Sequence, residues 1–245
     1  MEKLQELLSQ GFTHFEKAID SDHAEKIKSH LDECKNGSMG TGVDNFTNGS
    51  QIILYNPQVE KPDLYTALIE NPLVTSIASS LLQDPYLLSS VAASASTDAD
   101  YGRPHLDGRI PISVPEQNTH LHTMWCIDDF TIENGSTFFW PGSHKNGTKP
   151  DVPTADKLPG GKQLVLPKGS VVLFLGSTWH AIAPNFLRNT RWGVTITYCR
   201  WWVKPTFDYS KNENTTFNLK NYRSLLGLNS LPPVPSQGRF LTLTD

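Results

Sequence analysis

Residues 119–145 have the sequence THLHTMWCIDDFTIENGSTFFWPGSHK, and this stretch is the most informative about the fold class. It holds two short apolar segments, Thr119–Ile127 and Thr137–Trp140, with the turn-forming sequences Glu133-Asn134-Gly135 between them and Pro141-Gly142-Ser143 after them. Short apolar segments bounded by glycine, proline and asparagine are typical of β-strands joined by tight turns. The stretch therefore predicts strands that pair in an antiparallel sheet.

The same pattern continues on both sides of this stretch. The other predicted strands are Leu87–Ala92, Gln163–Leu166, Ser170–Leu175 and Trp192–Val203. Many short strands without helices between them favour a mainly β fold, a double sheet or barrel with helices packed outside.

The first 85 residues have helical rather than strand periodicity. One helical face carries Ala24, Ile27, Leu31 and Cys34. Asn71-Pro72 is typical of a helix start, because asparagine caps the first turn and proline fits its first position. We expect one domain, with a helical part at about 1–85, a β core at about 86–205 and an extension at 206–245, in which Leu219–Leu226 forms a short helix.

Composition excludes several classes of protein. The 245 residues include 25 acidic and 21 basic ones, and only 19% are charged, so a disordered polyelectrolyte is excluded. The absence of a basic stripe argues against a nucleic-acid partner. No apolar run approaches the roughly 18 residues needed to span a membrane. An odd number of widely spaced cysteines favours reduced thiols and a cytoplasmic location. The oligomeric state is not predicted.

Three residues form a candidate metal site. His105 and Asp107 are two positions apart, so on an extended segment both side chains project to the same side. His180 follows the strand Ser170–Leu175 and is the best third ligand. Two imidazoles and one carboxylate leave about three positions of an octahedral ion open, which is typical of non-haem Fe(II) oxygenases.

Arg191 lies eleven residues after His180, at the start of the last predicted strand. If the two segments pair, its guanidinium points into the cavity that holds the metal. A 2-oxo acid that chelates iron would then direct its far carboxylate to Arg191, whose planar fork suits bidentate binding. The alternative for Arg191 is a surface ion pair.

Four blocks together resemble the phytanoyl-CoA dioxygenase family. They are His105-Leu106-Asp107, residues 127–137 (IDDFTIENGST), residues 141–145 (PGSHK), and His180 with Arg191-Trp192. The similarity runs from about residue 10 to residue 203, and the order and spacing of the blocks are more specific than any one of them.

The resemblance implies a double-stranded β-helix (a jelly roll, cupin-like core), an Fe(II) cofactor, and 2-oxoglutarate and O2 as cosubstrates. By the resemblance, the iron is held by His105, Asp107 and His180, and Arg191 receives the far carboxylate of 2-oxoglutarate. Thr137 matches a hydroxyl that assists this arginine, and Thr123 lies on a strand that reaches the cosubstrate in relatives. Related halogenases replace the carboxylate ligand with a small residue, so Asp107 disfavours halogenation.

Several neighbouring residues have weaker indications. Arg103 and Arg109 flank the metal pair and are candidates to attract an anionic substrate, although exposed loop charges are the common alternative. Trp125 and Trp179 are candidate pocket walls. Three further tryptophans, Trp192, Trp201 and Trp202, are expected in the core.

Other polar residues are expected to have structural roles. Asp128 and Asp129 are expected to fix loop backbone, and His144 to be a hydrogen-bond partner in a turn. Solvent exposure is expected for three N-terminal histidines, His14, His23 and His30.

The predicted function is hydroxylation of an unactivated C–H bond of a small molecule, with release of succinate and CO2. The same iron chemistry can end in desaturation or ring formation. A different metal site would use His120, His122 and His180, as in zinc enzymes or cupin-like dioxygenases, but it leaves Asp107 and Arg191 without a role. A non-catalytic jelly-roll binding module is the third alternative.

Overall fold

Two antiparallel sheets form the centre of the computed structural model, which describes residues 2–36, 44–48, 51–96, 99–108, 118–209 and 222–228. The strands are β1 (Phe12–Phe15), β2 (Asp44–Asn48), β3 (Gln51–Tyr55), β4 (Tyr86–Ser96), β5 (His120–Cys126), β6 (Phe138–Phe139), β7 (Lys162–Gln163), β8 (Val171–Leu175), β9 (His180–Ala181) and β10 (Arg191–Arg200). In the described part, seven strands form a large sheet in the order β1-β8-β5-β10-β4-β3-β2, and three form a small sheet in the order β7-β6-β9.

Helices lie before, between and after the strands. They are α1 (Glu2–Gln10), α2 (Ser21–Lys35), α3 (Pro62–Ile69), α4 (Pro72–Leu82) and α5 (Tyr222–Leu225). The predicted start of α4 is confirmed, because Asn71 accepts a hydrogen bond from Leu73 N at 3.1 Å and Pro72 is the first helical residue. Such a cap contributes about 1 kcal/mol. None of the described helices has the length and the apolar character needed to cross a membrane.

The large sheet has one apolar and one polar face. Because successive side chains of a strand point to opposite faces, Trp192, Val194 and Ile196 of β10 pack in the same core as residues of α2, α3 and α4. The alternate residues Arg191 and Thr195 line a cavity on the other face. The helices therefore cover one side of the large sheet, and the other side is free to carry a site.

Aromatic residues fill part of the space between the two sheets. Phe12 of β1 and Phe174 of β8 pack against Phe139 of β6, with ring centroids 5.1 and 5.3 Å from the Phe139 ring. The two sheets thus enclose an apolar layer next to the cavity.

The expectation that residues 1–85 are helical is wrong in part. This region also contains β1, β2 and β3, which extend the large sheet on both edges. β1 is held by β8, where Phe12 pairs with Phe174 and Phe15 with Val171. A strand of four residues depends on such distant partners more than on its own propensity, so local periodicity did not identify it.

Two expectations about burial are also wrong. His30 is 1% exposed, because the face of α2 that carries it packs against α3. Trp201 and Trp202 are 51% and 52% exposed instead of lying in the core. They follow Arg200, where the pairing of β10 ends, so the sheet no longer covers them. The other two N-terminal histidines, His14 and His23, are partly exposed. The short helix α5 lies within the predicted Leu219–Leu226.

Candidate metal centre

A cavity of about 340 Å³ lies against the polar face of the large sheet. Among the residues that line it are His105, Asp107, Thr137, His180 and Arg191. Four of these residues come from three loops or short strands, and the fifth, Arg191, is the first residue of β10. The structure therefore brings together the three predicted metal ligands, Arg191 and Thr137.

The three predicted ligands converge on one point. Asp107 Oδ2 lies 3.5 Å from His180 Nε2, and Asp107 Oδ1 lies 3.6 Å from His105 Nε2. One ligand atom from each residue lies within 4.8 Å of the other two. A cation at the centre of this triangle is within reach of all three side chains, so the donor set fits the facial arrangement preferred by Fe(II).

Backbone carbonyls orient both imidazoles. His105 Nδ1 donates to Arg103 O at 3.0 Å, and His180 Nδ1 donates to Thr178 O at 3.1 Å. A neutral imidazole that donates through Nδ1 keeps its lone pair on Nε2, the atom that faces Asp107. Each ring is therefore held in the tautomer that binds a metal.

The electrostatics of the triangle favour a cation. Burial alone raises the pKa of the Asp107 carboxyl, but His180, His122 and His105 together lower this pKa below its usual range. Burial lowers the pKa of His180, because the charged imidazolium is poorly solvated there. The site thus presents a carboxylate and a neutral imidazole, which are the forms that bind metal.

The residues of the three-histidine alternative are not gathered in this way. His122 lies near the triangle, with Nδ1 3.8 Å from Asp107 Oδ2, but this nitrogen also lies 3.0 Å from Thr197 Oγ1. His120 Nδ1 lies 3.0 Å from Thr119 Oγ1. Within the described residues, no potential metal site combines His120, His122 and His180.

Arg191 is a buried cation in the wall of the same cavity. Its side chain is 5% exposed, its Nε donates to Asn134 O at 3.2 Å, and its guanidinium lies 4.1 Å from the centre of the Phe130 ring. Burial lowers the pKa of Arg191 to about 10. In the described part of the chain, no carboxylate forms an ion pair with it. An anionic ligand would supply the missing partner, and the alternative of a surface ion pair is wrong.

Thr137 is the second predicted cosubstrate residue that the cavity contains. It is buried, and its hydroxyl donates to Met124 Sδ at 3.4 Å, a weak acceptor. A carboxylate bound at Arg191 would be a stronger acceptor for this hydroxyl.

Three other predicted site residues do not face the cavity. On β5, His120, His122 and Met124 line it, so the intervening Thr123 and Trp125 point to the opposite face. Thr123 donates to Ile196 O at 3.2 Å, and Trp125 is fully buried in the core under the helices. The assignments of Thr123 to the cosubstrate and of Trp125 to the pocket wall are therefore wrong.

Trp179 is excluded from the wall for the same reason. It precedes His180, which points into the cavity, so its own side chain points away. It packs near Trp140 and Ala181, and its Nε1 donates to Thr148 O at 2.9 Å.

Arg103 lies in a second, larger cavity. This outer cavity has a volume of about 610 Å³ and shares Gln51, Ser96, His105 and Ile182 with the inner one. Arg103 is exposed there, together with Lys149. Arg109 lies outside the described residues.

Several cavity residues were not predicted from the sequence. They are Gln51 and Tyr55 of β3, Ser90, Ser94 and Ser96 of β4, and Thr195 and Thr197 of β10. The small polar residues of β4 and β10 occur at every second position, which was a usable signal for a polar inner face.

Asp128, Asp129 and His144 have the structural roles expected of them. Asp128 Oδ2 accepts from Trp192 N at 2.8 Å, and Asp129 Oδ1 accepts from Lys168 N at 2.7 Å. His144 Nε2 donates to Leu8 O at 3.1 Å, so it joins its turn to α1. Asp128 thereby fixes the backbone directly after Arg191.

A jelly roll with two histidines, one aspartate and a buried arginine in one cavity is the architecture of non-haem iron oxygenases that use a 2-oxo acid. Comparison with known proteins agrees, because the profile described as phytanoyl-CoA dioxygenase (PhyH) matches residues 7–188. The chain belongs to the phytanoyl-CoA dioxygenase family, whose members depend on Fe(II), 2-oxoglutarate and O2.

Two curated fungal proteins are similar in sequence. Dioxygenase af480 of Aspergillus fumigatus is 28% identical over 204 residues, which cover 78% of this chain and 64% of the relative. Dioxygenase trt7 of Aspergillus terreus is 27% identical over 161 residues, which cover 62% and 54%. The chain thus matches less than two thirds of the length of these relatives.

Solved structures confirm the predicted jelly-roll core. The non-haem, alpha-ketoglutarate-dependent epimerase SnoN from nogalamycin biosynthesis superimposes with a TM-score of 0.65 at 17% identity, covering 84% of this chain and 85% of SnoN. HygX from Streptomyces hygroscopicus, solved with nickel, 2-oxoglutarate and hygromycin B, gives 0.63 at 14% identity, covering 83% and 88%. At these identities the similarity concerns the fold alone.

Proposed function

We propose that this protein is an Fe(II)- and 2-oxoglutarate-dependent oxygenase that hydroxylates an unactivated C–H bond of a small molecule. Succinate and CO2 are the products of the cosubstrate. One observation carries the proposal: His105, Asp107 and His180 share one cavity with Arg191, a buried cation that has no carboxylate partner among the described residues.

Each residue has a distinct task in this proposal. His105, Asp107 and His180 would hold the iron, and the coordination positions that they do not occupy would be open to the 2-oxo acid and to O2. Arg191 and Thr137 bind the far carboxylate of 2-oxoglutarate and so set its orientation. When bound, the iron and the 2-oxo acid supply the oxidising chemistry. Phe174, which packs against Phe139, gives the cavity an apolar part of its wall.

The test of the site is anaerobic addition of Fe(II) and 2-oxoglutarate to the purified protein. We expect a weak visible charge-transfer band in the wild type and none in His180→Ala. His120→Ala is the matched control, because His120 lines the same cavity but lies outside the triangle. The band survives in this variant if the proposal is correct, and its loss there would contradict the assignment of the metal ligands. No band in the wild type would contradict the proposal.

The geometry argues against a non-catalytic binding module. Such a module has no need for two imidazoles held in the metal-binding tautomer beside a carboxylate. Succinate formation that requires both Fe(II) and O2 separates the two classes. Binding of 2-oxoglutarate without any turnover, over a broad panel of small molecules, would favour the module.

The outcome of the oxidation is the finer part of the proposal. Proteins of the same fold include the epimerase SnoN and the carbocyclase SnoK, so desaturation or ring formation are alternatives to hydroxylation. Product mass distinguishes them: hydroxylation adds one oxygen atom, desaturation and ring closure remove two hydrogen atoms, and epimerisation leaves the mass unchanged.

The outer cavity is the proposed entrance for the substrate. A volume of about 610 Å³ is within the range of pockets for drug-sized ligands. Arg103 and Lys149 line it and favour an anionic group on the substrate. If so, Arg103→Gln raises the KM for the substrate and leaves the 2-oxoglutarate requirement unchanged. An equal KM in variant and wild type would remove Arg103 from this role.

A further inference from the structure

A second group of potential metal ligands lies outside the cavity described above. His30 and Cys34 are four residues apart on α2, so their side chains lie one above the other on one helical face. Glu60 reaches the same point from the turn that precedes α3. One ligand atom from each of the three residues lies within 4.8 Å of the other two.

The distances between the three donor atoms are those of a tetrahedral zinc site. His30 Nε2 lies 3.3 Å from Glu60 Oε2 and 3.4 Å from Cys34 Sγ, and Cys34 Sγ lies 3.7 Å from Glu60 Oε2. Zinc bonds of about 2.0–2.1 Å to nitrogen and oxygen and about 2.3 Å to sulfur, at tetrahedral angles, place such atoms about 3.3–3.6 Å apart. Each observed distance agrees to about 0.2 Å.

The surroundings suit a bound ion. Tyr65 Oη lies 3.0 Å from His30 Nδ1 and can accept its proton, which leaves the lone pair of Nε2 directed at Cys34 and Glu60. A cavity of about 540 Å³ borders His30 and Glu60. Lys26 and Lys61 also line this cavity, and it has space for a water molecule as a fourth ligand. A thiolate and a carboxylate together balance the two charges of Zn²⁺.

We propose that His30, Cys34 and Glu60 bind one Zn²⁺ ion in a tetrahedral site whose fourth position faces this cavity. On binding, the Cys34 thiol loses its proton to solvent and its sulfur forms the bond to zinc, while His30 and Glu60 contribute lone pairs. No electron is transferred.

The ion would link α2 to the segment that leads into α3. α2 also supports the start of β10, because Asp32 Oδ1 accepts from Trp192 Nε1 at 2.8 Å and Lys35 Nζ donates to Thr190 Oγ1 at 2.8 Å. These two contacts flank Arg191 in the sequence. The zinc site would therefore stabilise the helix that holds this part of the cavity wall.

Cobalt is the probe for this site, since a thiolate bound to Co²⁺ absorbs in the near ultraviolet and the first metal centre contains no thiol. Co²⁺ is added to the metal-free full chain, in the wild type and in His180→Ala, which disables the first centre. We expect the thiolate band in both proteins, and its removal by excess Zn²⁺. Absence of the band in the folded wild type would overturn the proposal.

Substitutions show which residues the cobalt–thiolate band requires. We expect it to fall below about a tenth in Cys34→Ser and to persist in Cys199→Ser, a matched control at another buried, free cysteine. Glu60→Gln should weaken Co²⁺ binding by about tenfold or more, and circular dichroism checks that each variant is folded. If Cys34→Ser does not fold, the Co²⁺ affinity of Glu60→Gln is the deciding measurement. This variant is expected to fold, because Glu60 is only partly buried. A band that survives in folded Cys34→Ser, or an affinity unchanged in Glu60→Gln, would contradict the site.

Discussion

His105 and His180 exchange two backbone hydrogen bonds, from His105 N to His180 O at 3.0 Å and from His180 N to His105 O at 2.9 Å. This isolated antiparallel bridge places the centres of the two imidazole rings 4.3 Å apart. The backbone thus positions two of the three candidate metal ligands directly. Only Asp107 depends on the path of the loop that follows.

Because the bridge does not involve the Asp107 side chain, Asp107→Ala should retain the fold and both imidazoles. We expect its affinity for Fe(II) to fall by at least about tenfold, the effect seen even for residues that only support a metal ligand. Succinate formation with 2-oxoglutarate should fall with it. Asp100→Ala, which removes a carboxylate from the outer cavity, should bind iron like the wild type. Unchanged iron affinity in Asp107→Ala would exclude Asp107 as a ligand.

Arg191→Ala should raise the 2-oxoglutarate requirement steeply and leave iron affinity nearly unchanged. Loss of one partner of a buried, hydrogen-bonded charge pair costs about 2–5 kcal/mol, which corresponds to a factor on the order of 30 or more in affinity. Titration of the anaerobic charge-transfer band with 2-oxoglutarate measures this change. Arg188→Gln, at an exposed arginine of the loop that precedes β10, is the control and should titrate normally. Equal titrations for both variants would remove Arg191 from cosubstrate binding.

Gly135→Ala should destabilise the protein by about 1–3 kcal/mol. Gly135 has a φ of +79°, and a Cβ atom added there would lie 2.5 Å from Ala183 O. Gly142→Ala is the matched control, since its φ is +77° but a Cβ atom there meets no atom within 4 Å. We expect about 1 kcal/mol for this control, from the strain of the left-handed backbone alone. Urea denaturation measures both, and equal losses would show that the close approach to Ala183 is unimportant.

Stability should fall as the pH is lowered from 7 to 5, in part because of His144. Burial lowers the pKa of His144, so the native state binds its proton less readily than the unfolded chain does. The contribution of neutral His144 to the free energy of unfolding is complete above the usual imidazole pKa of about 6.5. It is lost as the pH falls through the lowered pKa of the native state. His144→Gln keeps a side-chain N–H for Leu8 O but does not titrate.

The free energy of unfolding of the metal-free protein, measured at a series of pH values, should therefore depend less on pH in His144→Gln than in the wild type. The difference between the two proteins isolates His144 from the other buried histidines, which titrate in both. Parallel curves would show that His144 does not contribute.

The candidate site was largely predictable because each of its main residues has a local signature. His105 and Asp107 are two positions apart on an extended segment, His180 follows an apolar strand, and Arg191 lies at the start of the last predicted strand. Thr137 was indicated by its position in a block that resembles a known family. Such signals depend on a few neighbouring positions, so they are present before folding.

The face of β5 was not predictable in the same way. A shift of one residue moves every side chain to the other face of a sheet. In β5 both faces are largely buried, with His120 and His122 on one and Leu121 and Trp125 on the other. No polar–apolar alternation marks the cavity side, and Thr123 and Trp125 were assigned to it wrongly.

Residue order alone indicated most strands of the core, the candidate metal ligands and the start of α4, since turn residues, same-side spacing and caps act over a few positions. Folding was required to add β1–β3 to the large sheet and to exclude Thr123 and Trp179 from the cavity. It also joined Glu60 to His30 and Cys34. Each of these depends on pairing or packing between residues distant in the sequence, whose geometry no local pattern encodes.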